Sequence, residues 1–518
     1  MEEDTLKHIT KTLLTGLSLT AFAGLMQGAN AVPTLTDPNL DVRTVVSGLT
    51  QPTTMLFIGR NDILVLEKAS GLVRRVINGV VQEPPVLDLA VNSGSERGLL
   101  GSALHPNFRK NGYVYLYWTE STTGADSTVL SETPLLGNRV DRFRWNGTTL
   151  KFDRSIIKLR AFQPAFLEEP TPALGRGNHD GGVLAFEPLK EDDHDDDDDD
   201  HHGKHDHDAD KGKLHIFIGD VGRRGWMQNI TTTLTATCPR VTLCDDNFGG
   251  PEPDNAHLTG VVIRLNDDGT TPKDNPFYKY GGTVGGEVGA NIQRVFAYGL
   301  RNSFGMAFDP VSHELWLEQN ADNAFTELSR VEPGMNGGWV QVMGLADRLS
   351  EFKAIETGVA VPGMFAGLQQ ARWSPNNIAD SAQVMRNRLV MFPGAHYSNP
   401  ELTWKFEVAP AAIGFVHGRG LGKEYENDLF MGGARTTLRG GHLFRFKFTG
   451  NRRHIATTDP RLNDLVADNT APFDILESES LLIGENFGIG TDIETGPNGN
   501  VFVVSNTDGA IYEIFRRH

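Results

Sequence analysis

The stretch from Tyr298 to Trp339 reads YGLRNSFGMAFDPVSHELWLEQNADNAFTELSRVEPGMNGGW and combines strand and turn signals with polar residues. Its runs at 306–308 and 314–318 are typical of short strands. Arg301 and Asn302 lie at a glycine-flanked turn before the first run, where side chains can point off a sheet. An Arg-Asn pair at a turn is also a common structural feature, so these residues alone leave a ligand site and a structural turn both open.

The loop after the second run is rich in oxygen donors. Its residues are Gln319, Asn320, Ala321, Asp322 and Asn323. Hard cations such as calcium take oxygen ligands from carboxylates, amides and backbone carbonyls. The loop is therefore a candidate cation site.

Short aliphatic runs separated by turn residues recur from Val45 to near the C-terminal end. Val183–Phe186 with Leu214–Ile218 is one pair, and Asn500–Val504 is a further run. The 57 glycines and 26 prolines fit many turns and few long helices. Four-strand units at a spacing of several dozen residues predict an all-β propeller in one large domain, with a pair of β-sandwiches as the alternative.

The formal net charge of −18 is concentrated in one segment. The tract from Glu191 to Lys211 holds 12 acidic and 2 basic residues, so it contributes −10 of that charge. Its five histidines among carboxylates suggest weak binding of divalent cations, and a solvated loop extension between two strands is the alternative. The chain has no basic stripe that would neutralise phosphates, which argues against a nucleic-acid partner.

The N-terminal segment has features of a secretory signal peptide. An apolar run from Thr10 to Gly28 follows Lys7, and Ala29-Asn30-Ala31 offers small residues for cleavage. The acidic start at residues 2–4 is atypical of such peptides. We expect residues 1–31 to be removed and the protein to be periplasmic or secreted, without stable insertion in a membrane.

The chain has two cysteines, Cys238 and Cys244. They lie six positions apart in a segment rich in threonine and aspartate. In an oxidising compartment the two thiols can close a small ring, and no further ligands for a metal site are apparent beside them. We therefore predict a disulfide between Cys238 and Cys244.

Several blocks of the sequence occur in an order similar to that of a known family. Besides the Arg301-Asn302 stretch, the blocks are Glu96–Gly101, His105–Phe108, Asn111–Tyr115, His179–Gly182 and Ile216–Asp220. Together they resemble the soluble sugar dehydrogenases that use pyrroloquinoline quinone, the glucose/sorbosone dehydrogenase family. The resemblance implies a six-bladed β-propeller over residues 32–518, interrupted by insertions at 191–211 and at about 350–399.

The resemblance also implies a reaction and a set of site residues. The reaction is oxidation of a sugar hydroxyl by pyrroloquinoline quinone with calcium, followed by electron transfer to an external acceptor. A neutral imidazole suits proton abstraction at physiological pH, which makes His179 the candidate base and Asp220 its orienting partner. The remaining positions are Arg301, Asn302, Arg435, Glu96 and Arg97 for the quinone, Trp404 for stacking on the sugar, and the carbonyls of Gln319, Asn320 and Ala321 for calcium.

One departure from the family pattern keeps two other functions open. The segment Gly488–Asp492 contains no arginine where the family carries cationic contacts to the cofactor. A propeller that has lost the cofactor and acts as a binding protein is one alternative. A calcium-dependent hydrolase or lactonase that uses Asp220, Asp322 and Glu327 is the other.

Overall fold

A computed structural model describes residues 32–162, 178–189, 212–221, 258–339, 341–357 and 378–517. Strands account for most of the regular structure in these ranges. In chain order the strands are β1 Thr34–Leu35, β2 Leu40–Val46, β3 Pro52–Gly59, β4 Asp62–Glu67, β5 Leu72–Ile77, β6 Val80–Asp88, β7 Leu99–Leu104, β8 Tyr113–Thr119, β9 Asn138–Trp145, β10 Leu150–Leu159, β11 Leu184–Phe186, β12 Lys213–Ile218, β13 Val261–Asn266, β14 Val295–Tyr298, β15 Met306–Phe308, β16 Leu315–Gln319, β17 Ala324–Val331, β18 Met335–Asn336, β19 His396–Tyr397, β20 Leu402–Phe406, β21 Pro410–Phe415, β22 Leu429–Gly433, β23 Leu443–Phe448, β24 Ile455–Ala456, β25 Val466–Ala467, β26 Leu482–Glu485, β27 Gly490–Thr495, β28 Val501–Ser505 and β29 Ala510–Arg516.

The α-helices of the described ranges are short. They are α1 Phe108–Asn111, α2 Tyr278–Val284, α3 Gly286–Arg294, α4 Leu349–Thr357 and α5 Ala382–Arg388. No helix in the described residues is long and apolar enough to cross a membrane.

The strands form six separate sheets, each built mainly from antiparallel neighbours. The orders are β3-β4-β5-β6, β10-β9-β8-β7, β11-β12-β13-β14-β18-β19, β15-β16-β17-β20-β25, β1-β26-β23-β22-β21 with β24 beside β23, and β2-β29-β28-β27. The last sheet joins the N-terminal strand β2 to the three C-terminal strands. This pairing of the chain ends closes the sheets into a ring.

Contacts between sheets follow the same ring. Strand β3 contacts β7, β7 contacts β11, β11 contacts β15, β15 contacts β21, β21 contacts β27, and β27 contacts β3 again. Side chains of adjacent sheets fill the space between them. Leu64 and Val73 of one sheet, for example, share a buried cluster with Val114 and Phe143 of the next. The predicted all-β propeller is therefore confirmed, and the pair of sandwiches is not.

Local turn chemistry sets the register within a sheet. Asn78 and Gly79 connect β5 to β6 with φ angles of +50° and +78°. Positive φ at both positions is the geometry of a two-residue hairpin turn, which the Asn-Gly pair adopts readily. Ile77 accordingly lies opposite Val80 in the ladder.

The predicted insertions are described in part. The segment 350–399 contains most of α4, all of α5 and strand β19, with residues 358–377 outside the described ranges. The acidic tract 191–211 and the predicted signal peptide 1–31 lie outside the described residues, as do Cys238 and Cys244 with their predicted disulfide.

Candidate functional site

A buried histidine and aspartate pair marks the centre of the site. His179 lies shortly before β11 and Asp220 shortly after β12, and the antiparallel pairing of these two strands brings the residues together. The His179 Nδ1 atom is 2.6 Å from Asp220 Oδ1, and the two residues are 2% and 1% exposed. An imidazole that donates through Nδ1 to a carboxylate presents Nε2 as its proton acceptor. The pair therefore has the arrangement of an oriented general base.

The second oxygen of Asp220 is held by an aromatic residue. The indole Nε1 of Trp339 donates to Asp220 Oδ2 at 2.9 Å. Trp339 is 1% exposed. Because each carboxylate oxygen has its own donor, Asp220 cannot rotate without losing a bond. Trp339 had no predicted role, although it ends the stretch Tyr298–Trp339 in an Asn-Gly-Gly-Trp run.

Close backbone contacts bring Arg301 beside this pair. The amide of Asp220 donates to the carbonyl of Arg301 at 2.9 Å. A Cβ atom on Gly219 would lie 2.5 Å from the His179 carbonyl oxygen and 2.7 Å from that of Arg301. Any side chain at Gly219 would thus push the two backbones apart, so glycine is required there.

Glu96 connects His179 to Asn302. The backbone N–H of His179 donates to Glu96 Oε2 at 2.6 Å, and Asn302 Nδ2 lies 3.4 Å from the same oxygen. His179 has a φ of +62°, which is uncommon for a residue other than glycine. A bond from a backbone amide to a carboxylate is charge-assisted and helps to hold this conformation. The structure therefore brings together four of the predicted site residues: His179, Asp220, Asn302 and Glu96.

Arg301 faces the loop that was predicted to hold a cation. Its Nη1 donates to the carbonyl of Asn320, its Nη2 lies 3.9 Å from Asp322 Oδ1, and its backbone N–H donates to Gln319 Oε1 at 2.9 Å. Arg301 is 2% exposed. Arg301 therefore brings a positive charge to the site, and three residues of the loop 319–323 contact it.

Two buried polar atoms of the site lack partners within the described residues. They are the Nε atom of Arg301 and the Oδ1 atom of Asn302. A buried donor or acceptor without a partner is destabilising, and such atoms in a native site are often explained by a ligand. The free donor, Arg301 Nε, fits a ligand that carries carboxylate or carbonyl oxygens, and the free acceptor, Asn302 Oδ1, fits an O–H or N–H donor of a ligand.

Burial controls the charge of several carboxyl groups around the site. It raises the pKa of Asp180, the residue after His179, to about 7, while nearby Arg97 opposes the shift. Burial also raises the pKa of Glu327 to about 8. In both cases water is replaced by protein atoms that solvate the ionised form less well. The negative charge that these groups present at neutral pH is reduced accordingly.

Arg97 forms a hydrogen bond within its own loop. Its Nε donates to Asn92 Oδ1 at 3.0 Å, and the residue is 2% exposed. Burial lowers its pKa, while Asp180 and Glu96 oppose that shift. Arg97 thus supplies positive charge near His179 from the loop that also carries Glu96, and its role toward a cofactor stays a prediction.

The structure places two predicted residues elsewhere. The guanidinium of Arg435 lies over the ring of Phe473, 5.4 Å from its centroid, and its described contacts do not join it to His179 or Arg301. Trp404 is fully buried and stacks on Phe444 with ring centroids 5.7 Å apart. Trp404 lies within a buried apolar cluster, so its ring is closed to a sugar and the structure does not support the predicted stacking.

The loop that contains Gln319, Asn320 and Ala321 is the predicted calcium site. Within the described ranges no group of three or more His, Cys, Asp or Glu side chains is placed to hold a metal ion. Gln319, Asn320 and Ala321 are 2%, 6% and 4% exposed, and the Asn320 carbonyl already accepts the bond from Arg301. Calcium binding by the carbonyls of Gln319, Asn320 and Ala321 stays a prediction.

The carboxylates considered for a hydrolase do not converge. Asp220 bonds to His179 and Trp339, whereas Glu327 accepts from Gln319 Nε2 at 2.7 Å and from the amide of Gly344 at 2.6 Å. Asp322 Oδ1 lies 3.9 Å from Arg301 Nη2. Their contacts give each carboxylate a structural partner, which does not favour a shared metal.

The chain is similar in sequence and fold to known proteins. The sequence model of the family described as glucose / sorbosone dehydrogenase matches residues 49–191 and 240–387. The chain is 23% identical over 457 residues to quinoprotein glucose dehydrogenase B of Acinetobacter calcoaceticus, covering 83% of this chain and 82% of that protein. It is 24% identical over 304 residues to aldose sugar dehydrogenase YliI of Escherichia coli strain K12, covering 58% of this chain and 62% of that protein.

A solved structure supports the fold. The apo-form of the soluble aldose sugar dehydrogenase from Escherichia coli superimposes with a TM-score of 0.55 at 19% sequence identity. The match covers 92% of this chain and 100% of that one. The propeller architecture is therefore shared with that protein.

Proposed function

This chain belongs to the glucose/sorbosone dehydrogenase family, and from that premise we propose that it oxidises a sugar hydroxyl with pyrroloquinoline quinone as cofactor. The observation that carries the proposal is the buried His179–Asp220 pair beside Arg301 and Asn302. A base, its orienting carboxylate and a cation are the groups that removal of a proton and a hydride from an alcohol requires.

In the proposed reaction His179 takes the hydroxyl proton on Nε2. The carbon would lose a hydride as its C–O bond becomes a carbonyl, and the quinone, when bound, would supply the acceptor for that hydride. Asp220 keeps the ring in one orientation and stabilises the imidazolium that forms. Trp339 prevents Asp220 from turning away, and Glu96 holds the backbone of His179 in its uncommon conformation.

The residues that would hold the quinone are Arg301 and Asn302. The quinone carries carboxylates and carbonyl oxygens, which pair with guanidinium and amide groups. The unpartnered Arg301 Nε supports this assignment for the guanidinium, and the unpartnered Asn302 Oδ1 would accept from a hydroxyl or N–H group of a ligand. Glu96 and Arg97 on the adjoining loop, and Arg435 from another sheet, remain part of the proposal as further contacts.

The proposal also covers the number of blades, the extent of the propeller and the export of the protein. We infer that each of the six sheets is one propeller blade, because their contacts follow a closed ring of six. Residues 32–518 then form a single propeller with insertions at 191–211 and about 350–399. Export to the periplasm or outside the cell would follow from cleavage after Ala31, which the mass of the mature N-terminus tests.

Reconstitution tests the proposed function. The purified protein is incubated with pyrroloquinoline quinone, with and without calcium, then desalted and examined for the absorbance of retained quinone. Neutral aldoses and an electron-accepting dye are then added, and dye reduction is expected only in quinone-loaded samples. A protein that retains no quinone at any calcium concentration would favour the binding propeller, since Gly488–Asp492 lacks cationic contacts.

A further inference from the structure

The insertion at about 350–399 contributes to the core behind the site. Phe352 of α4 and Met385 of α5 are both fully buried. They share one apolar cluster with Trp339 and with Ala324 at the start of β17. Because Trp339 bonds to Asp220, the insertion shares a buried cluster with the residue that holds the partner of the proposed base. It is therefore more than an extension on the surface.

One carboxylate of the insertion extends towards the Arg301 loop. Glu356 of α4 is 1% exposed. Its Oε1 accepts the backbone N–H groups of Asn323 and of Ala324, each at 3.2 Å. A single side-chain oxygen thus satisfies two consecutive buried amides at the end of the loop. Removing it would take one acceptor from each of these two amides.

The same loop fixes the cation of the site. Its first part supplies the Asn320 carbonyl to Arg301, and Asp322 lies 3.9 Å from the Arg301 guanidinium. Asn323 and Ala324 follow immediately. A shift of the loop at these two amides would therefore move both of the groups that hold the Arg301 side chain. The position of Arg301 depends on Glu356 through two bonds to the backbone.

We propose that Glu356 is a positioning residue, through which the insertion fixes the Asn320–Asn323 loop and so aligns Arg301 with a carboxylate of the quinone. The inference rests on the proposed function for the identity of the ligand. The contacts of Glu356 with Asn323 and Ala324 exist independently of that identity. In this proposal the insertion stabilises the cofactor site by holding the loop that contacts Arg301.

Three variants separate positioning from general stability. Glu356→Ala removes the acceptor, whereas Glu356→Gln keeps a carbonyl oxygen at the same reach. Met385→Ala is the control, because it weakens the same apolar cluster and leaves both bonds of Glu356 to the loop in place. The readouts are the Kd of pyrroloquinoline quinone by absorbance titration, the turnover at saturating quinone, and amide hydrogen exchange of peptides that span residues 319–325.

We expect Glu356→Ala to raise the Kd for the quinone about tenfold, because two buried amides lose their acceptor. Turnover at saturation should change less than threefold, and exchange across 319–325 should accelerate. Glu356→Gln should stay within about threefold of the wild-type Kd. Met385→Ala should lower the melting temperature while leaving the Kd and the exchange of this loop near wild type.

The outcomes distinguish this inference from the proposed function. Equal Kd and equal loop exchange in Glu356→Ala and wild type would overturn the inference while quinone binding stands. A Gln variant as weak as the Ala variant would also overturn it, since charge rather than positioning would then matter. If the wild type binds no quinone, the proposed function fails, and loop exchange alone decides whether Glu356 fixes the loop.

Discussion

At the scale of single residues, the proposed base can be tested by a change that keeps its polarity. His179→Gln removes the proton acceptor and retains a side chain of similar reach. General base catalysis contributes about 10²- to 10⁴-fold, so turnover should fall by that factor while the Kd of the quinone stays nearly unchanged. Stopped-flow reduction of the bound quinone by an aldose measures the step directly.

The matched control for this variant is His215→Gln. His215 lies in β12 close in sequence to Asp220, is 1% exposed, and its ring nitrogens have no partner among the described atoms. The control should turn over like the wild type. Full activity in His179→Gln would refute the assigned base and leave Asp220 as the next residue to replace.

The bond from Trp339 to Asp220 gives a second prediction at this scale. Trp339→Phe keeps an aromatic ring and removes the N–H that donates to Asp220 Oδ2. We expect turnover to fall about tenfold, because one hydrogen bond to a buried carboxylate is lost. Steady-state rates and the pH dependence of turnover are the measurements.

Trp404→Phe is the comparison, since Trp404 is equally buried and its Nε1 has no partner within the described residues. Turnover in this variant should stay within about twofold of wild type. A similar loss of activity in both tryptophan variants would show that packing alone is responsible. The proposed role of Trp339 would then be wrong.

Titration of Asp180 provides a pH-dependent prediction. Burial raises its pKa to about 7 in the folded protein, whereas an unfolded aspartate has a pKa near its ordinary value of 3.8. The unfolded state therefore releases this proton at lower pH, and the contribution of Asp180 to the free energy of unfolding falls as the pH rises from about 4 to about 7. Asp180→Asn removes that dependence.

The measurement is urea unfolding of both proteins at pH 4.5, 6 and 7.5. The stability of Asp180→Asn relative to wild type should increase over this series by up to a few kcal/mol. A constant difference between the two proteins at all three pH values would show that Asp180 is ionised throughout. The Asn138 bond to Asp180 Oδ1 can be kept by the new amide oxygen.

The sequence predicted some residues of the site and missed others. His179, Asp220, Arg301 and Asn302 stood in recognisable blocks, and the fold brings them into one site. The family resemblance gave a role to Trp404 and none to Trp339, although it is Trp339 that bonds to a carboxylate of the site. Whether an indole bonds to a site carboxylate or stacks within a core depends on contacts between residues distant in sequence.

At the scale of elements, strands β11 and β12 predict how the acidic tract can be treated. They pair in antiparallel register from Leu184 opposite Ile216, and the amide of Glu187 donates to the Lys213 carbonyl at 2.9 Å. Their ends are thus already adjacent, and a short turn can join them. Deleting Glu191–Lys211 should leave cooperative melting intact and lower the molecule's net negative charge by ten.

A longer deletion provides the control, and calorimetry compares the two. Removing the chain through Ile218 eliminates β12, which supplies fully buried residues to two apolar clusters, and should abolish cooperative unfolding. Loss of cooperativity in the shorter deletion as well would mean that the tract itself is structural. The aliphatic runs 183–186 and 214–218 predicted this pair of strands, because that signal is local.

The insertion shows the opposite case. Its sequence has no clear period, so its function could not be inferred from pattern. Phe352 and Met385 pack on the cluster that contains Trp339, and Glu356 bonds to the Arg301 loop. These contacts join segments far apart in the chain, and sequence spacing carries no information about them.

At the scale of the whole molecule, the ring of sheets explains why a propeller is predictable while its site is only partly so. Repetition of short strands reveals the architecture, since every sheet repeats the same pattern. The site is assembled once, from loops of several sheets. Glu96, His179 and Arg301 follow or precede strands of three different sheets, so their convergence depends on ring closure.

Ring closure gives the last prediction. Strand β2 pairs with β29 and contributes Leu40 and Val46, which are 2% and 5% exposed, to the closing sheet. A protein that begins at Val32 retains this strand, and one that begins at Gly48 lacks it. Burying an aliphatic side chain contributes about 1.5–3 kcal/mol, so the shorter protein should lose at least about 3 kcal/mol of unfolding free energy. It should also expose the edge of β29, which favours association between chains.

Urea midpoints and light scattering measure the two effects, and His179→Gln in the longer protein controls for a loss of activity without a loss of closure. If the protein that begins at Gly48 unfolds at the same midpoint and stays monodisperse, pairing of the chain ends is not what closes the propeller.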